Sequence, residues 1–465
     1  MRFLIAFYFA CLTIWISYRI VRLAMQGRIE LFSLHTVFLA GFIIFQLTSS
    51  VLGLGFSLYG DIEPSNLTTI PLLFAACVTI FLIIFEWSYR REWGILRRMR
   101  LSGTDWDGDI SGWIILGIVM VFFGFLLKVV LVMIPLVGII SSQMAGGVLA
   151  IAAGCAGWAW AKDFRNPMLA MIAIFIVIAA AMIMTYQSFG RRPMMGVVLG
   201  FGWAIYYAYW RGFPRALMLR RLLLAGIIAS LVLTLYTATR KSADQFEKRG
   251  FTETVLALSD IDMEGLTSGY VSILSGQNSG PISMRALEMY GATQPYDFLH
   301  QVKYLVTMPI PRNIWPGKPQ SLAKEIVAQE YIRNKGSGNV YNVGPGIIGH
   351  AAHDFPYIAL PLYAIALGWM LRIVDERISW SLHRPFVLLP CGAALGQVTA
   401  LARGETALFV WEALLAIIGG YFVMRIAGIF VSGVGFMWQT DEVPPYDPLA
   451  WDDDEEDYSY DESTT

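Results

Sequence analysis

Charge is scarce in this sequence: 15% of its 465 residues are Asp, Glu, Lys or Arg, where a soluble domain carries about a quarter. The hydrophobic set takes 56% and the mean hydropathy is +0.56, which excludes a soluble globular protein. Cysteine is nearly absent. Cys11, Cys77, Cys155 and Cys391 all sit in apolar blocks without a CxxC pair, so they read as buried small hydrophobes, with no disulfide framework and no zinc site. No fixed-period repeat is visible, and the two halves lack matched broken helices of the transporter kind. Basic residues are missing after Thr440, where eleven of the 35 acids lie. That leaves a body of 24 acids against 34 bases and an acidic tail too charged to bury surface, read as a solvated, disordered terminus.

What is present is long apolar runs. Windows near the roughly 20 residues needed to cross a hydrocarbon core fall at 1–18, 31–56, 68–88, 111–136, 143–161, 167–187, 194–210, 219–238, 356–374, 386–402 and 405–429. The fold expected is therefore all-α and polytopic, with about eleven transmembrane helices. The first run has no cleavage site behind it and reads as a retained span. Lys and Arg collect in alternate loops: Arg19, Arg22 and Arg28; Arg90, Arg91, Arg97, Arg98 and Arg100; Lys162 and Arg165; Arg211, Arg215, Arg220 and Arg221; Arg372, Arg377 and Arg384. Short cytoplasmic loops collect such residues. The N-terminus is thus expected outside, the acidic tail (430–465) in the cytoplasm, and the long segment 239–355 outside. The same spread of basic residues excludes a nucleic-acid surface. In the external segment, 242–258 and 321–333 have helical spacing behind a serine, and 275–281, 309–319 and 336–349 are rich in turn residues.

Basic residues at the outer face break the charge rule, and so mark a site for an anionic ligand. They are Arg191 and Arg192 in the short 187–194 loop, Arg403 before the last span, and Arg240 and Lys241 at the end of the eighth. Lys128, inside the fourth span, is either a ligand or a side chain reaching for the interface. The sharpest motif is 308–319, MPIPRNIWPGKP, with four prolines in twelve residues. Proline fixes the backbone and forbids a helix, so Arg312 and Lys318 are held on a stiff loop with Trp315 as an anchor. A preorganised guanidinium and ammonium lose little entropy in clamping a phosphate. A purely structural proline turn explains the motif equally well.

The PIPRNIWPGKP segment resembles the PR-x-x-W-P-x-KP pattern of the O-antigen polymerases, or oligosaccharide repeat unit polymerases, and Arg403-Gly404-Glu405 resembles an Arg-Gly-acid step near their last spans. The similarity covers about 304–405. It implies a membrane glycosyltransferase of the all-helical GT-C-like kind, in a bacterial cytoplasmic membrane, acting on undecaprenyl-diphosphate-linked glycans at the periplasmic face. Lipid diphosphate would be the leaving group, no cofactor or metal would be needed, and a chain-length regulator and a flippase would be partners. On this reading Arg312 and Arg403 stabilise the charge growing on the diphosphate, while Arg191, Arg192 and Lys318 form a basic entrance. Trp315, Lys128 and His350 complete the expected substrate contacts.

The acceptor hydroxyl needs a base, for which His350, His353, Asp354 and Glu405 are candidates. His350 and His353 are three apart and share a helical face; polar capping of a helix at the interface is the plainer account. Glu412 follows Glu405 by seven residues, about 10 Å deeper on a helix, where it could line a pocket or pair with Lys128. Tyr290, Tyr296, Tyr331 and Tyr341 could stack on sugar rings or simply anchor at the interface. Three rivals remain: an O-antigen ligase, which shares donor and loop; a lipid-linked sugar flippase; and a non-catalytic scaffold. The topology is checked by fusion: a reporter active only in the cytoplasm is expected to work after Thr465 and to fail when inserted at Pro64.

Overall fold

The structure, a computed structural model, describes residues 1–59, 62–91, 93, 105–134, 137–186, 191–241, 263–274, 278–312, 314–333 and 344–440. Its elements in chain order are α1 (Arg2–Met25), α2 (Leu34–Phe56), α3 (Thr69–Arg90), β1 (Asp105–Gly108), α4 (Ile110–Met133), α5 (Val137–Lys162), α6 (Pro167–Thr185), α7 (Arg191–Ala208) and α8 (Arg215–Lys241). Then come α9 (Met263–Leu274), α10 (Ser279–Met289), α11 (His300–Thr307), α12 (Leu322–Arg333), α13 (Gly346–Asp354), α14 (Pro356–Ser379), α15 (Pro385–Ala400), α16 (Thr406–Gly433) and β2 (Met437–Thr440). Among the described residues nine helices are long and apolar enough to cross a membrane: α1 to α6, α8, α14 and α16. The expected spans at 194–210 and 386–402 are represented by shorter apolar helices, 194–208 and 385–400. An all-α membrane protein is what these helices describe.

The bundle is built around α5. Its sequence alternates Gly and Ala, and two thirds of its apolar window is buried, because small residues let helix backbones approach closely. A Cβ at Gly147 would stand 2.6 Å from Ala416 Cα of α16, and one at Gly157 2.8 Å from the Phe201 carbonyl of α7. In return, a Cβ at Gly200 of α7 would meet the Ala150 carbonyl at 2.8 Å. Larger side chains at these positions would push α7 and α16 off the axis.

Several spans are irregular where polar residues fall. Residues 43–48 of α2, 126–130 of α4 and 415–419 of α16 are π-helical. The first two segments carry Gln46 and Lys128, and the third lies three residues below Glu412. Such wide turns are common at functional sites. The sequence also hides a break in α15, which is interrupted at Ala394 after Pro390.

At the end bearing the arginine-rich loops, half-buried acids tie the helices together. Asp375 of α14 accepts the exposed N–H groups of Leu34 and His35 at the start of α2 (2.8 and 3.0 Å) and the Tyr89 hydroxyl of α3 (2.9 Å). Glu86 of α3 meets Arg19 (2.8 Å), His35 (2.8 Å) and Arg90 (3.0 Å). β1 and β2 pair antiparallel from Asp105 with Thr440 to Gly108 with Met437. The ribbon is fastened by Lys162, whose ammonium donates to Asp107 at 3.0 Å and to the Gly108 carbonyl.

At the opposite end, α10, α11 and α13 pack against the end turns of α2, α14 and α16. Helix α12 matches the expected 321–333 element, whereas two expected turn regions, 275–281 and 336–349, run into the starts of α10 and α13. Gly346, where the chain enters α13, has φ +62°, and a Cβ there would lie 2.1 Å from the Ala402 carbonyl and 2.4 Å from Gln46 Nε2. Gln46 itself donates to Ala402 O (2.5 Å) and accepts from the Ser283 hydroxyl (3.2 Å), so one buried amide joins α2, α10 and the segment before α16.

The other corrections concern single residues. Cys11 is exposed on α1 rather than buried, while Cys77, Cys155 and Cys391 are buried, and all four are free thiols. Helix α7 begins at Arg191, three residues before the expected span. The expected helix 242–258, Tyr341, the loop carrying Arg97, Arg98 and Arg100, and the acidic tail beyond Thr440 lie outside the described residues. Gly346→Ala is expected to lower the thermal midpoint of the membrane-extracted protein: the left-handed backbone alone costs a residue with Cβ about 1–2 kcal/mol, before the carbonyl contact. A scanning unfolding measurement against wild type checks it.

Candidate functional site

The backbone of 344–346 lies directly against that of 402–404. A Cβ on Gly344 would meet the Arg403 carbonyl at 2.2 Å, and one on Gly404 would enter the Phe409 ring at 1.8 Å. This close packing fixes Arg403 and Glu405 on either side of Gly404, at the mouth of α16. Arg403 is half-buried with its guanidinium 5.6 Å over the Phe45 ring of α2. Glu405 is 7% exposed, immediately before the first turn of α16.

The N–H groups of that first turn have no intrahelical acceptors, and two of them find partners on neighbouring helices. Ala407 N–H donates to Gln301 Oε1 of α11 at 3.2 Å. His350 Nε2 of α13 lies 3.3 Å from both the Thr406 amide nitrogen and the Gly404 carbonyl, so either tautomer of a neutral ring has a partner there. Burial, reinforced by the neighbouring His353 and His300, holds His350 well below the usual histidine range. It is therefore neutral at pH 7 and buried at 0% exposure.

Glu405 stands 3.8 Å from that ring. Burial pushes its carboxyl up to about 7, against the opposing pull of the Ala323 and Leu322 amides. The Ala323 N–H reaches Oε2 at 3.4 Å, while Oε1 has no hydrogen-bond partner among the described residues. His350 Nδ1, the Thr406 hydroxyl and the Tyr290 hydroxyl are likewise buried without a hydrogen-bond partner among the described residues, and the Gln301 amide also favours the charged form of Glu405. Buried polar atoms are nearly always paired. Several unpaired ones in this part of the protein accompany a carboxyl that is half ionised near neutral pH.

His353 occupies the same face of α13 but a different electrostatic setting. Its Nδ1 donates to Asp354 Oδ1 at 2.7 Å and its Nε2 lies 3.6 Å from Glu325 of α12. Burial opposes the charged ring, yet Asp354 and Glu325 outweigh it and raise His353 to about 9. Asp354, fully buried, also accepts the Gln301 N–H (2.9 Å) and the Tyr363 hydroxyl of α14. The His353 ring packs edge-on against Tyr290 at 4.5 Å and His300 at 4.7 Å. His300 is clamped by Asp297 (2.8 Å) and the Gln320 carbonyl (2.9 Å). A charged, fully engaged imidazolium cannot take a proton. Of the four candidate bases, Glu405 is the one whose carboxyl is raised to about 7, whereas His353 is held charged by its carboxylate partners.

The proline-rich loop folds around its own cations. Lys318 is buried, not presented outward: its ammonium donates to the Met308 and Ile310 carbonyls at 2.9 and 3.1 Å. Burial, and then the adjacent Arg312, lower its pKa. Arg312 is exposed and reaches back to the Lys318 and Pro319 carbonyls at 3.0 and 2.9 Å. Proline leaves no N–H to satisfy such carbonyls, so the loop uses a lysine and an arginine in their place. Two N–H donors close the loop and the remaining guanidinium edge faces out. Trp315 and Ile314 are exposed beside it.

Tyr304 of α11 joins the two halves. Its hydroxyl lies within electrostatic reach of Glu405, Arg312 and Glu412, and burial followed by Glu405 raises it to about 12. Lys128 of α4 and Glu412 of α16 are within electrostatic reach of one another inside the membrane-spanning part. At a similar depth the Trp411 indole donates to Gln143 of α5 at 2.8 Å. Arg191 and Arg192 open α7, with side chains outside the described residues, as are those of Tyr331, Arg240 and Lys241. Tyr296 is at the surface against Phe355 and Tyr290 is buried. Among the described residues no group of three or more His, Cys, Asp or Glu is placed to hold a metal ion.

Residues that sequence reasoning missed are Gln301, Tyr304, His300, Glu325 and Gln46. Gln46 had a signal, a lone amide in an apolar run; the others are unremarkable polar residues of an amphipathic loop helix. No family model, curated protein or solved structure matches the chain.

The His353 charge carries a pH signature. Its pKa is raised above the unfolded value of about 6.5, so the stability it contributes is complete below that pH and is lost as pH rises through about 9. The thermal midpoint is expected to fall between pH 7 and about 9.5, and to fall less steeply in His353→Gln. Parallel slopes for the two proteins would assign the alkaline loss elsewhere.

Proposed function

We propose that this protein is a membrane glycosyltransferase that joins lipid-diphosphate-linked oligosaccharide repeat units at the outer face of a bacterial cytoplasmic membrane. The observation that carries the reading is the setting of Tyr304, whose phenol lies within electrostatic reach of an exposed arginine, Arg312, and a buried carboxyl, Glu405, at the mouth of an apolar bundle. A cation and a carboxyl that both act on one phenol support a site that pairs charge stabilisation with a base.

In the reaction, the acceptor hydroxyl oxygen bonds to the anomeric carbon of the donor sugar as the bond from that carbon to the diphosphate oxygen breaks. The bonding pair leaves with the lipid diphosphate, and the hydroxyl proton passes to the Glu405 carboxylate. Arg403 and Arg312 offset the charge that grows on the leaving group. Donors preorganised in a low-dielectric setting lower the barrier most because they need no reorganisation as charge develops. Lys318 acts earlier, by holding the loop in the shape that presents Arg312. Trp315 and Ile314 seat that loop in the interface, where aromatic rings favour the headgroup level. Arg191 and Arg192 open a helix whose N-terminal end already favours anions, which suits the basic entrance. His350 keeps the first turn of α16 in register beside Glu405.

A flippase is the second reading, favoured by one observation: Lys128 and Glu412 lie within electrostatic reach of each other in the membrane-spanning part, where ionisable groups mark transport paths by default. Synthesis assays separate the readings. Purified protein given only lipid-linked repeat units is expected to yield a polymer ladder, with no separate core acceptor of the kind a ligase requires. Arg403→Ala is expected to lower the rate by about 10² to 10³ with the protein level unchanged. Glu405→Gln is expected to abolish the rise of rate with pH through about 7. Full polymer formation by both variants would remove the proposal, and movement of lipid-linked units across vesicles without polymer would establish the flippase.

A further inference from the structure

At the mouth of α16, two consecutive residues of α2 meet two consecutive residues of the segment before it. Gln46 Nε2 donates to the Ala402 carbonyl at 2.5 Å, and the Arg403 guanidinium lies 5.6 Å over the Phe45 ring. Gln46 is 0% exposed, while Phe45 and Arg403 are half-buried. An amide sunk in an apolar span is costly unless it is hydrogen-bonded, and this one is paired at both ends, since Oε1 accepts from the Ser283 hydroxyl of α10 at 3.2 Å. Because an amide donates and accepts at once, Gln46 grips a carbonyl on one side while being held on the other.

The backbone around the pair keeps it in place. Residues 43–48 form a π-helical turn, where the regular ladder of helical hydrogen bonds is interrupted. The hydroxyls of Ser49 and Ser50 take the Phe45 and Gln46 carbonyls at 2.6 and 2.5 Å. Ser49 Oγ also accepts the Gly280 N–H of α10 at 2.8 Å, and a Cβ on Gly280 would stand 2.1 Å from Ser50 Oγ. One turn earlier, a Cβ on Gly41 would lie 2.3 Å from the Thr399 carbonyl, so α2 presses on the chain before α16 at two levels. That chain is itself tightly turned: the Arg403 and Gly404 N–H groups both close on the Ala400 carbonyl at 2.9 Å. An aromatic ring attracts a guanidinium without offering it an acceptor oxygen, unlike the carbonyls that hold Arg312 and Lys318 in the proline-rich loop.

We infer that Phe45 and Gln46, on the π-helical turn of α2, are positioning residues for Arg403 and aim its guanidinium at the leaving diphosphate, a role that rests on the transfer reaction proposed above. Gln46 fixes the backbone from which Arg403 springs, and Phe45 fixes the charged end. Neither touches the reacting atoms.

Phenylglyoxal labelling of the full-length, membrane-extracted protein, read at each arginine by peptide mass spectrometry, reports on Arg403 whether or not the chain transfers sugars. Phe45→Leu and Gln46→Met are expected to raise the labelling rate of Arg403 severalfold, with that of the exposed Arg312 unchanged. Phe45→Tyr, which keeps the ring, is expected to leave both rates at the wild-type value; should Gln46→Met not fold, the two Phe45 variants still decide. In the polymer assay Phe45→Leu is expected to lower kcat about tenfold, the size of one partly desolvated cation–π contact, with KM unchanged. In an Arg403→Ala background it should cost nothing further. Arg403 labelling unmoved by Phe45→Leu, or a rise shared with Arg312, would overturn the positioning role, as would a loss of rate that persists undiminished in the Arg403→Ala background. A wild-type protein that forms no polymer while the labelling pattern holds would remove the transfer reaction, and with it the aim at a diphosphate, but not the hold of α2 on Arg403.

Discussion

The Asp354 carboxylate holds the outer assembly together. A buried carboxylate is tolerated only when its lone pairs are filled and its charge is met, and here one group accepts from the backbone of α11, the phenol of α14 and the imidazolium of α13. Because Gln301 is anchored by its own N–H to Asp354, its side-chain oxygen is in place for the first turn of α16. Glu405 inherits its position from that chain of contacts. The acid that does the proposed chemistry is thus set by a second acid that does none, and the pair illustrates how environment separates two carboxyls of the same kind.

Much of the membrane architecture was legible in the sequence, because lipid forces every span to be long and apolar. The residual errors have physical causes. Helices 194–208 and 385–400 are shorter than full spans: the first opens on a pair of arginines and the second is broken beyond Pro390, neither of which an apolar window records. The π-helical turns of α2, α4 and α16 leave no mark in hydropathy at all, since they change register and not composition.

The site was half legible. Arg403, Glu405, Arg312 and the two histidines were found from charge at the wrong face and from turn chemistry, and the structure gathers Glu405, His350 and His353 with Gln301 around the start of α16. What spacing cannot say is which way a side chain points on a proline-rich loop. Lys318 and Arg312 look alike in the sequence, yet one is folded under and the other kept at the surface, because the loop's unpaired carbonyls compete with any ligand for the cations. His353 shows the same limit: its place before the ninth span made it a candidate base, and only its contacts with Asp354 and Glu325 reveal an imidazolium.

Helix α8 stands apart from this tightly tied framework. Only 6% of its apolar window is buried within the protein, against two thirds for α5, and bulky residues such as Leu223, Leu224, Ile227 and Ile228 look outward. Its address is therefore written by the bilayer more than by its neighbours. In a membrane, hydrophobic matching keeps it upright at low cost; in detergent, that confinement vanishes while the rest of the bundle stays whole. The thickness and tension of the surrounding lipid therefore become variables of this helix's position as real as any side chain.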